Sequence, residues 1–303
     1  MKQPVSTLKL GEAAIRHKGW WQAHRWLALR RLSQIFIILL FLLGPWTGIW
    51  IIKGNLSSSL LFDTIPMTDP MLFLQMLAAG FWGVTSAAVI GAAIILVFYM
   101  LVGGRVFCSW VCPVNPITDF AFWLRRKLGI KGGLVFPRST RYWVLAVVMI
   151  VAAVTGTLAY ELINPVSLLH RGLFFGMGAG WVLIIGLLMF DLAVSKRGWC
   201  SHLCPMGAFY ALISRFSLIR VRADARSKCD DCGECFVICP EPQILPPVLK
   251  GEKTGKPPVV LDSVCTNCGR CIDICHISVF EFGSRFEKTL PDETPSRQSY
   301  SLN

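Results

Sequence analysis

Charged residues are scarce in this chain: they make up 16% of 303 residues, whereas a soluble domain carries about 25%. Hydrophobic residues make up 54%, so there is too little charge to cover a water-exposed surface and part of the chain must face lipid. The same composition excludes a disordered, collagenous or coiled-coil protein. Acidic residues are fewer than basic residues, and the net charge is +12. In a membrane protein this excess marks cytoplasmic loops, so we expect no nucleic-acid partner.

Histidine is also scarce, and its positions exclude haem. The five histidines are His17, His24, His170, His202 and His276. None lies in a long apolar run, so a haem b with two histidine ligands has no ligands inside a helix bundle. The chain also lacks the C-x-x-C-H motif of c-type haem, the G-x-G-x-x-G dinucleotide fingerprint and the P-loop.

Four long apolar runs are present, each with the roughly 20 residues that a helix needs to cross the hydrocarbon core. They predict membrane spans at about 32–52, 81–102, 142–163 and 173–194. Buried helices of a soluble protein are the alternative, but such helices seldom exceed 20 apolar residues four times in one chain.

The basic residues fall almost entirely on one side of these spans. Of 30 Lys and Arg residues, 28 lie in segments 1–31, 103–141 and 195–303. The positive-inside rule therefore places both termini and the middle loop in the cytoplasm. The stretch 19–31, rich in Trp and Arg, predicts an interfacial helix on the inner leaflet.

The sequence contains an internal repeat with an offset of 92 residues. Each half has two predicted spans, then a Cys-x3-Cys-Pro motif, then a basic amphipathic stretch: CSWVCPVNPITDFAFWLRR in one half and CSHLCPMGAFYALISR in the other. Because each unit has an even number of spans, the repeats run parallel, related by an axis along the membrane normal. This symmetry brings Cys108, Cys112, Cys200 and Cys204 together at the inner membrane face.

These four thiols have three possible roles. Thiols four residues apart on a helix share a face, so they could bind a metal or cluster. They could instead pair as redox-active dithiols, or be structural thiols packed at the interface. The sequence leaves this choice open.

Eight further cysteines follow the fourth span in the motifs CDDCGECFVICP and CTNCGRCIDICH. In bacterial two-cluster ferredoxins, three cysteines of such a motif hold one cluster and the fourth ligates the other. We therefore expect one 4Fe–4S cluster on Cys229, Cys232, Cys235 and Cys275, and a second on Cys265, Cys268, Cys271 and Cys239. Zinc ribbons are the alternative, but a zinc site takes one set of four ligands. The segment 241–264, rich in Pro, Gly and Lys, predicts a solvated excursion.

The predicted architecture is a membrane all-α bundle of four transmembrane helices, in two parallel repeats of two spans, with a cytoplasmic two-cluster ferredoxin domain of the α+β class. The predicted segments are a basic N-terminal part at 1–31, the transmembrane domain at 32–194 with a CxxxCP loop at 108–113, the second CxxxCP motif with an amphipathic connector at 195–228, the ferredoxin domain at 229–285, and a flexible tail at 286–303.

This combination resembles a known family, the NapH family of membrane ferredoxin-type subunits in periplasmic nitrate reductase systems. The stretches GWWQAHRWLALRRLSQ, GPWTGIW, GNLSSSLLFDTIPMTDP, FCSWVCPVNPITD and INPVSLL carry the resemblance, which covers about residues 15–285. Membrane proteins for nitrous oxide reductase maturation and cytochrome oxidase assembly share the layout but are less similar in the outer loops.

The resemblance implies a component of a quinol dehydrogenase in the bacterial inner membrane, with quinol as its substrate. The implied partners are a periplasmic ferredoxin-type subunit with several clusters, a membrane-anchored multihaem c-type cytochrome and the periplasmic nitrate reductase. Both clusters are expected in the cytoplasm, so the sequence does not decide how electrons reach a periplasmic acceptor. An assembly factor that reduces metal in a partner reductase, or a redox sensor, is the alternative.

Quinol oxidation needs a proton acceptor, and charged residues near the predicted spans are few. Glu161 lies at the outer end of the third predicted span, with Asn164 and His170 nearby, and is the candidate base. Asp191 lies near the inner end of the fourth span. A capping or snorkelling role for each carboxylate is the alternative.

The predicted topology is testable with alkaline phosphatase fusions, because this enzyme is active only outside the cytoplasm. Fusions after Ile65 and Leu168 should be active, and fusions after Arg126 and Ser284 inactive. An active fusion after Ser284 would place the ferredoxin domain outside and overturn the predicted orientation.

Overall fold

The computed structural model describes residues 10–83, 85–130, 132–176, 178 and 180–286. Most of the predicted flexible tail, 286–303, therefore lies outside the described residues. In chain order, the elements of the first half are α1 (Glu12–Lys18), α2 (Trp20–Thr47), β1 (Ile52–Gly54), β2 (Ser58–Leu61), β3 (Ile65–Thr68), α3 (Pro70–Ala78), α4 (Ser86–Val102) and α5 (Val114–Lys127). The three strands form an antiparallel sheet in the order β1-β2-β3.

The second half repeats the helical pattern without the sheet. Its elements are α6 (Thr140–Thr155), α7 (Ala159–Ile163), α8 (Pro165–Phe175), α9 (Gly180–Met189) and α10 (Pro205–Ile213). The tail then contributes β4 (Ile219–Arg222), α11 (Glu234–Ile238), α12 (Leu245–Lys250), α13 (Arg270–Ile274) and β5 (Glu281–Ser284).

In the part of the chain that the structure describes, one helix is long and apolar enough to cross a membrane. This helix, α2, has 28 residues, or about 42 Å at 1.5 Å per residue. It joins most of the predicted interfacial stretch 19–31 to the first predicted span without a break. Shorter apolar helices, α4, α6 and α9 with its π-helical continuation to Val194, overlap the other three predicted spans. The structure therefore gives one full-length candidate span where the sequence predicts four.

Two short helices, α3 and α8, are counterparts in the two halves. Asp69 caps α3 and Asn164 caps α8, and each side chain accepts a backbone N–H of the first turn. Each helix begins with a proline, Pro70 or Pro165, the residue best suited to the first helical position. The sequence repeat is therefore not confined to the cysteine motifs. It also includes the capped starts of α3 and α8.

Both CxxxCP motifs adopt the same wide turn. The N–H of Cys112 donates to the carbonyl of Phe107, and that of Cys204 to Trp199, each at 2.9 Å. These bonds reach back five residues, as in a π-helix, a feature often found at functional sites. The wide turn replaces the α-helical spacing that the sequence suggested, and in both halves a helix, α5 or α10, follows directly.

The segment 241–264 is not the solvated excursion that its composition predicts. Helix α12 buries Leu245, Val248 and Leu249 in the core of the ferredoxin domain, and Val260 is also buried. The longest exposed stretch is around Gly255, at 254–257. The prediction was wrong because the Pro and Lys content hid the apolar i, i+3, i+4 pattern of α12.

A buried carboxylate, Glu241, joins the ferredoxin domain to the apolar helices. Its Oε1 accepts hydrogen bonds from Arg105 at 2.8 Å and from Arg141 at 2.9 Å, and its Oε2 pairs with Arg138. Glu241 is 1% exposed, as is Arg105, and Arg141 is 2% exposed. Charge-assisted bonds of this kind are short and strong, and each holds two distant segments together.

A second carboxylate, Asp119 on α5, joins four segments. Arg270 of the ferredoxin domain donates to both carboxylate oxygens at 2.6 Å, and Arg31 of α2 donates at 2.5 Å. Arg197 lies 3.4 Å and Arg30 3.9 Å from the carboxylate. Burial alone would raise the pKa of Asp119, but the arginines, led by Arg270, hold it below its usual range.

Glu241→Gln should loosen the ferredoxin domain, because it leaves buried arginines without an anion. Breaking such a buried pair costs about 3–5 kcal/mol, so we expect a lower thermal midpoint in detergent and faster amide exchange in residues 219–285. Glu12→Gln is the control, since its pair with Arg16 is solvent-exposed and exposed pairs contribute little. Equal thermal midpoints for the two variants would show that Glu241 does not hold the domains together.

Candidate iron–sulfur and thiol centres

The eight cysteines of the tail line two separate cavities. Cys229, Cys232, Cys235 and Cys275 line one, which we call the distal cavity. Cys239, Cys265, Cys268 and Cys271 line the other, which we call the proximal cavity. Each cavity receives three cysteines from one motif and the fourth from the other motif, which are the two sets expected from the sequence.

Glycines at matched places shape the two cysteine loops. Gly233 and Gly269 have φ of 78° and 69°, the left-handed region that glycine tolerates best. Each precedes a short helix, α11 or α13, that carries the third cysteine of its motif. A Cβ at Gly269 would lie 2.6 Å from Cγ of Trp26, so this loop also needs glycine to approach α2.

The donor sets fit iron–sulfur clusters. Such clusters are held by four cysteine thiolates, and each cavity offers four thiols that come from two chain segments. Five of the eight cysteines are buried and the other three are partly exposed. Bound clusters would supply one-electron transfer, and the loops would shield them from water.

The charges around the two cavities differ in sign. In the distal cavity, burial and then the carboxylates of Asp230 and Glu234 raise the pKa of Cys232. In the proximal cavity, burial alone would raise the pKa of Cys268, but Arg270 and Arg30 outweigh it and lower the pKa. Arg270 also lies 3.9 Å from Sγ of Cys268. In the proximal cavity arginine therefore stabilises the thiolate of Cys268, while in the distal cavity Cys232 faces acidic groups.

The structure brings the four CxxxCP thiols together. Cys108, Cys112, Cys200 and Cys204 each lie close enough to the other three for their charges to interact. Burial, with the neighbouring Cys108, raises the pKa of Cys204 to about 12. Arg105 opposes this effect at Cys108 and Cys204. Thiolates are the reactive and metal-binding form, so a positive charge beside the four sulfurs is needed to form them.

The proximal cavity rests directly on both CxxxCP motifs. Ser109 Oγ donates to the carbonyl of Thr266 at 2.6 Å, and Ser201 Oγ donates to that of Pro240 at 3.2 Å. The two serines occupy the same position in the repeat, directly after the first cysteine of each motif. Each half of the sequence repeat therefore holds one of the two loops that form the proximal cavity.

Glu161 lies in a hydrogen-bonded group formed by both halves. Its carboxylate accepts hydrogen bonds from Ser167 at 2.6 Å, Asn164 at 3.0 Å and Ser57 at 3.4 Å. Within the described residues it has no ion-pair partner. His170, which the sequence places nearby, instead packs against Phe41 and Phe174.

Sequence reasoning missed the buried carboxylate of Asp69. Tyr210 donates to its Oδ1 at 2.7 Å, and both residues are buried. The Asp-Pro pair that starts α3, matching the Asn-Pro pair of the other half, could have drawn attention to it.

Asp191 accepts the N–H of Trp199 at 3.0 Å and thereby caps the second CxxxCP turn. A capping role is one of the roles predicted for this carboxylate.

Family models match both cysteine regions of the chain. One described as a 4Fe-4S binding domain matches residues 85–131 and 173–223, the segments that contain the two CxxxCP motifs. A second, described as a 4Fe-4S dicluster domain, matches residues 228–287. No solved structure matches the chain.

Curated relatives match nearly the whole chain. Ferredoxin-type protein NapH of Escherichia coli is 50% identical over 276 residues, covering 91% of this chain and 95% of the relative. NapH of Haemophilus influenzae is 48% identical over 89% of this chain and 93% of its own. Methylamine utilization ferredoxin-type protein MauN of Paracoccus denitrificans is 49% identical over 92% of this chain and 97% of its own.

These relatives and the two 4Fe–4S matches agree with the geometry of the cysteine sites. The chain belongs to the family of ferredoxin-type electron-transport proteins that includes NapH and MauN.

Proposed function

We propose that this protein is the electron-transfer component of a quinol dehydrogenase in the bacterial inner membrane, passing electrons from quinol toward a periplasmic acceptor. One observation carries the proposal: three cysteine sites follow one another from the tail to the membrane helices. Cys235 of the distal cavity lies near Cys271 of the proximal one, and the proximal loops rest on the CxxxCP motifs.

The tail cysteines hold two 4Fe–4S clusters in this proposal. Cys229, Cys232, Cys235 and Cys275 bind the distal cluster, and Cys265, Cys268, Cys271 and Cys239 bind the proximal cluster. Each set of four cysteines lines one cavity, which supports this assignment. The crossed ligation of bacterial two-cluster ferredoxins supports it as well. Iron is the metal, and no haem is needed for the route.

The four CxxxCP thiols hold a third centre in this proposal. Support comes from their mutual proximity and from the 4Fe–4S family model that matches both motif segments. A centre here lies between the proximal cavity and the membrane helices. It therefore provides a path from the cytoplasmic clusters toward the outer side.

The membrane arrangement is a bundle of four spans with both termini in the cytoplasm. Support comes from the one-sided distribution of basic residues. The shorter apolar helices also expose large side chains suited to lipid, such as Val97 on α4, Val154 on α6 and Val182 on α9.

The partners in this proposal are those that the resemblance to the NapH family implies: a periplasmic multi-cluster ferredoxin-type subunit, and a membrane-anchored multihaem c-type cytochrome, the periplasmic nitrate reductase, or both. MauN relatives of equal identity are named for methylamine utilization, so identity alone does not select the acceptor. A role in assembly or redox sensing is the second candidate. The partial exposure of Cys229 and Cys232 favours it, because it gives a soluble cytoplasmic protein access to the distal site.

Glu161 remains a candidate base for quinol oxidation. Its carboxylate has only neutral hydrogen-bond donors around it, and carboxylates in membrane segments are rare and often functional. Glu161 and the cytoplasmic clusters lie at opposite ends of α6. A quinol oxidised at Glu161 would therefore deliver electrons through the CxxxCP centre.

Cys239→Ser tests the crossed ligation. It should remove the proximal cluster and about four iron atoms per chain, and leave the EPR signal of the distal cluster in dithionite-reduced protein. Cys275→Ser is the matched variant and should remove the distal signal instead. Loss of the distal signal in Cys239→Ser would show that each motif holds its own cluster.

Replacement of the four CxxxCP cysteines by serine tests the third centre. Residues that act as a unit give non-additive losses, so Cys112→Ser alone should stop quinol-dependent electron delivery about as fully as the quadruple variant. Both variants should lose about four iron atoms and keep the tail clusters by EPR. A quadruple variant that transfers electrons at the wild-type rate per molecule would identify these cysteines as packing residues.

A further inference from the structure

A cavity of about 490 Å³ lies where the membrane part meets the ferredoxin domain. Helix α1, the start of α2, helix α5 and the short helices α11 and α13 surround it. Its apolar wall includes Leu27, Phe120 and Trp123, and its polar wall includes His24, Arg30 and Arg197. An apolar pocket with a few convergent polar groups is the usual form of a small-molecule site.

The cavity touches both tail cysteine sites. Ile238 and Ile274, which line it, directly precede Cys239 and Cys275 in the chain. Arg270 lines it too, and lies 3.9 Å from Sγ of Cys268. A molecule in the cavity therefore lies beside the ligand loops of the proximal and distal sites.

The cavity also lies at the level where α2 leaves the predicted membrane. Phe120 and Trp123 are about half exposed on α5, an amphipathic helix that ends in three basic residues. An amphipathic helix with aromatic and basic residues lies in the membrane interface. A molecule dissolved in the inner leaflet therefore reaches the cavity over an apolar edge.

Two buried donors lining the cavity lack an acceptor. Nη1 of Arg30 and Nε of Arg197 make no hydrogen bond within the described residues, and both side chains are more than nine-tenths buried. The carboxylate of Asp119 is already bonded to Arg270 and Arg31. A buried donor without an acceptor raises the free energy of the folded protein. A ligand oxygen that accepts a hydrogen bond from these donors would remove this penalty.

His24 supplies a proton acceptor at the same cavity. Its Nδ1 lies 2.9 Å from the carbonyl of Trp20, and its ring stacks on the Trp20 ring. With the proton on Nδ1 donated to that carbonyl, the lone pair of Nε2 is left to accept a proton. Imidazole is the side chain most often used for this purpose.

We propose that this cavity binds the head group of the quinol; this inference rests on the function proposed above. One quinol oxygen accepts from Arg30, and a hydroxyl group of the quinol faces Nε2 of His24. The two O–H bonds break and the quinol becomes a quinone. Its two electrons pass one at a time to the iron–sulfur centres, which are the oxidant. The two protons leave in turn through His24 to the cytoplasm. The arginines stabilise the negative charge that develops on the oxygen.

Leu27→Trp tests the inference, because it fills the cavity from α2. Leu29→Trp is the matched control: it makes the same change on the same helix, at a residue that is exposed to a similar degree and does not line the cavity. The full-length protein in liposomes is mixed with a reduced quinol, and cluster reduction is followed by absorbance. A hydroxyquinoline N-oxide, a quinol analogue, is added in parallel, and its effect on the cluster EPR spectrum is recorded.

Leu27→Trp should slow quinol-dependent cluster reduction at least tenfold and abolish the analogue-induced EPR change, while dithionite still gives the wild-type spectrum. Leu29→Trp should match the wild type in all three measurements. His24→Gln should lower the maximal rate at least tenfold, with analogue binding retained, because it removes the proton acceptor and keeps the pocket.

Three results would overturn the inference. Wild-type rates and analogue binding in Leu27→Trp, with loss of both in Glu161→Gln, would place the quinol at the outer group instead. Retention of a phospholipid by the wild type but not by Leu27→Trp in native mass spectrometry, without analogue binding, would make the cavity a lipid site. A wild-type protein that binds the analogue but is never reduced by quinol would refute the proposed function itself.

Discussion

Two buried carboxylates, each bound by arginines from distant segments, hold this structure together. Glu241 joins the ferredoxin domain to Arg105, Arg138 and Arg141, and Asp119 joins α5 to arginines of three other segments. Removing water from so many charges is costly, and the cost is offset only when every partner is in place. The cysteine sites, their contacts with the CxxxCP turns and the cavity beside α5 all depend on this arrangement.

The arginines also give the two tail sites different electrostatic environments. The proximal cysteines have guanidinium groups close to them, while the distal cysteines lie beside Asp230, Asp231 and Glu234. Reduction adds negative charge to an iron–sulfur cluster, so nearby cations raise its potential and nearby anions lower it. Burial of the proximal site acts in the opposite direction. The arginine contacts at Cys268 outweigh burial there, as the lowered pKa of that thiol indicates.

The cysteine sites could be predicted from the sequence because their information is local. The spacing within each motif, and the 92-residue repeat, are visible without any knowledge of the fold. The ion pairs could not be predicted in this way: Arg105 and Glu241 are 136 residues apart, and Arg270 and Asp119 are 151 apart. Nothing in either local sequence marks its partner. The cavity was missed for the same reason, since its walls come from five separate parts of the chain.

Helix lengths show a different limit of sequence reasoning. Apolar composition continues past Gly156, but this residue takes a left-handed conformation and ends α6. The chain then turns into α7 and α8, and the apolar run 142–163 is not one helix. A hydropathy pattern records where lipid or protein core can lie, and it does not record where the backbone turns within that region.

The position of Glu241, two residues after Cys239, has a consequence for the speed of electron transfer. Three arginines from helix ends hold this residue, so the loop that carries Cys239 cannot swing away from the apolar helices without breaking all of these pairs. Some electron carriers work through a mobile head that diffuses between two docking positions, and their transfer step slows as the solvent becomes more viscous. A tail fixed in this way has no such excursion, so its transfer step is independent of solvent viscosity.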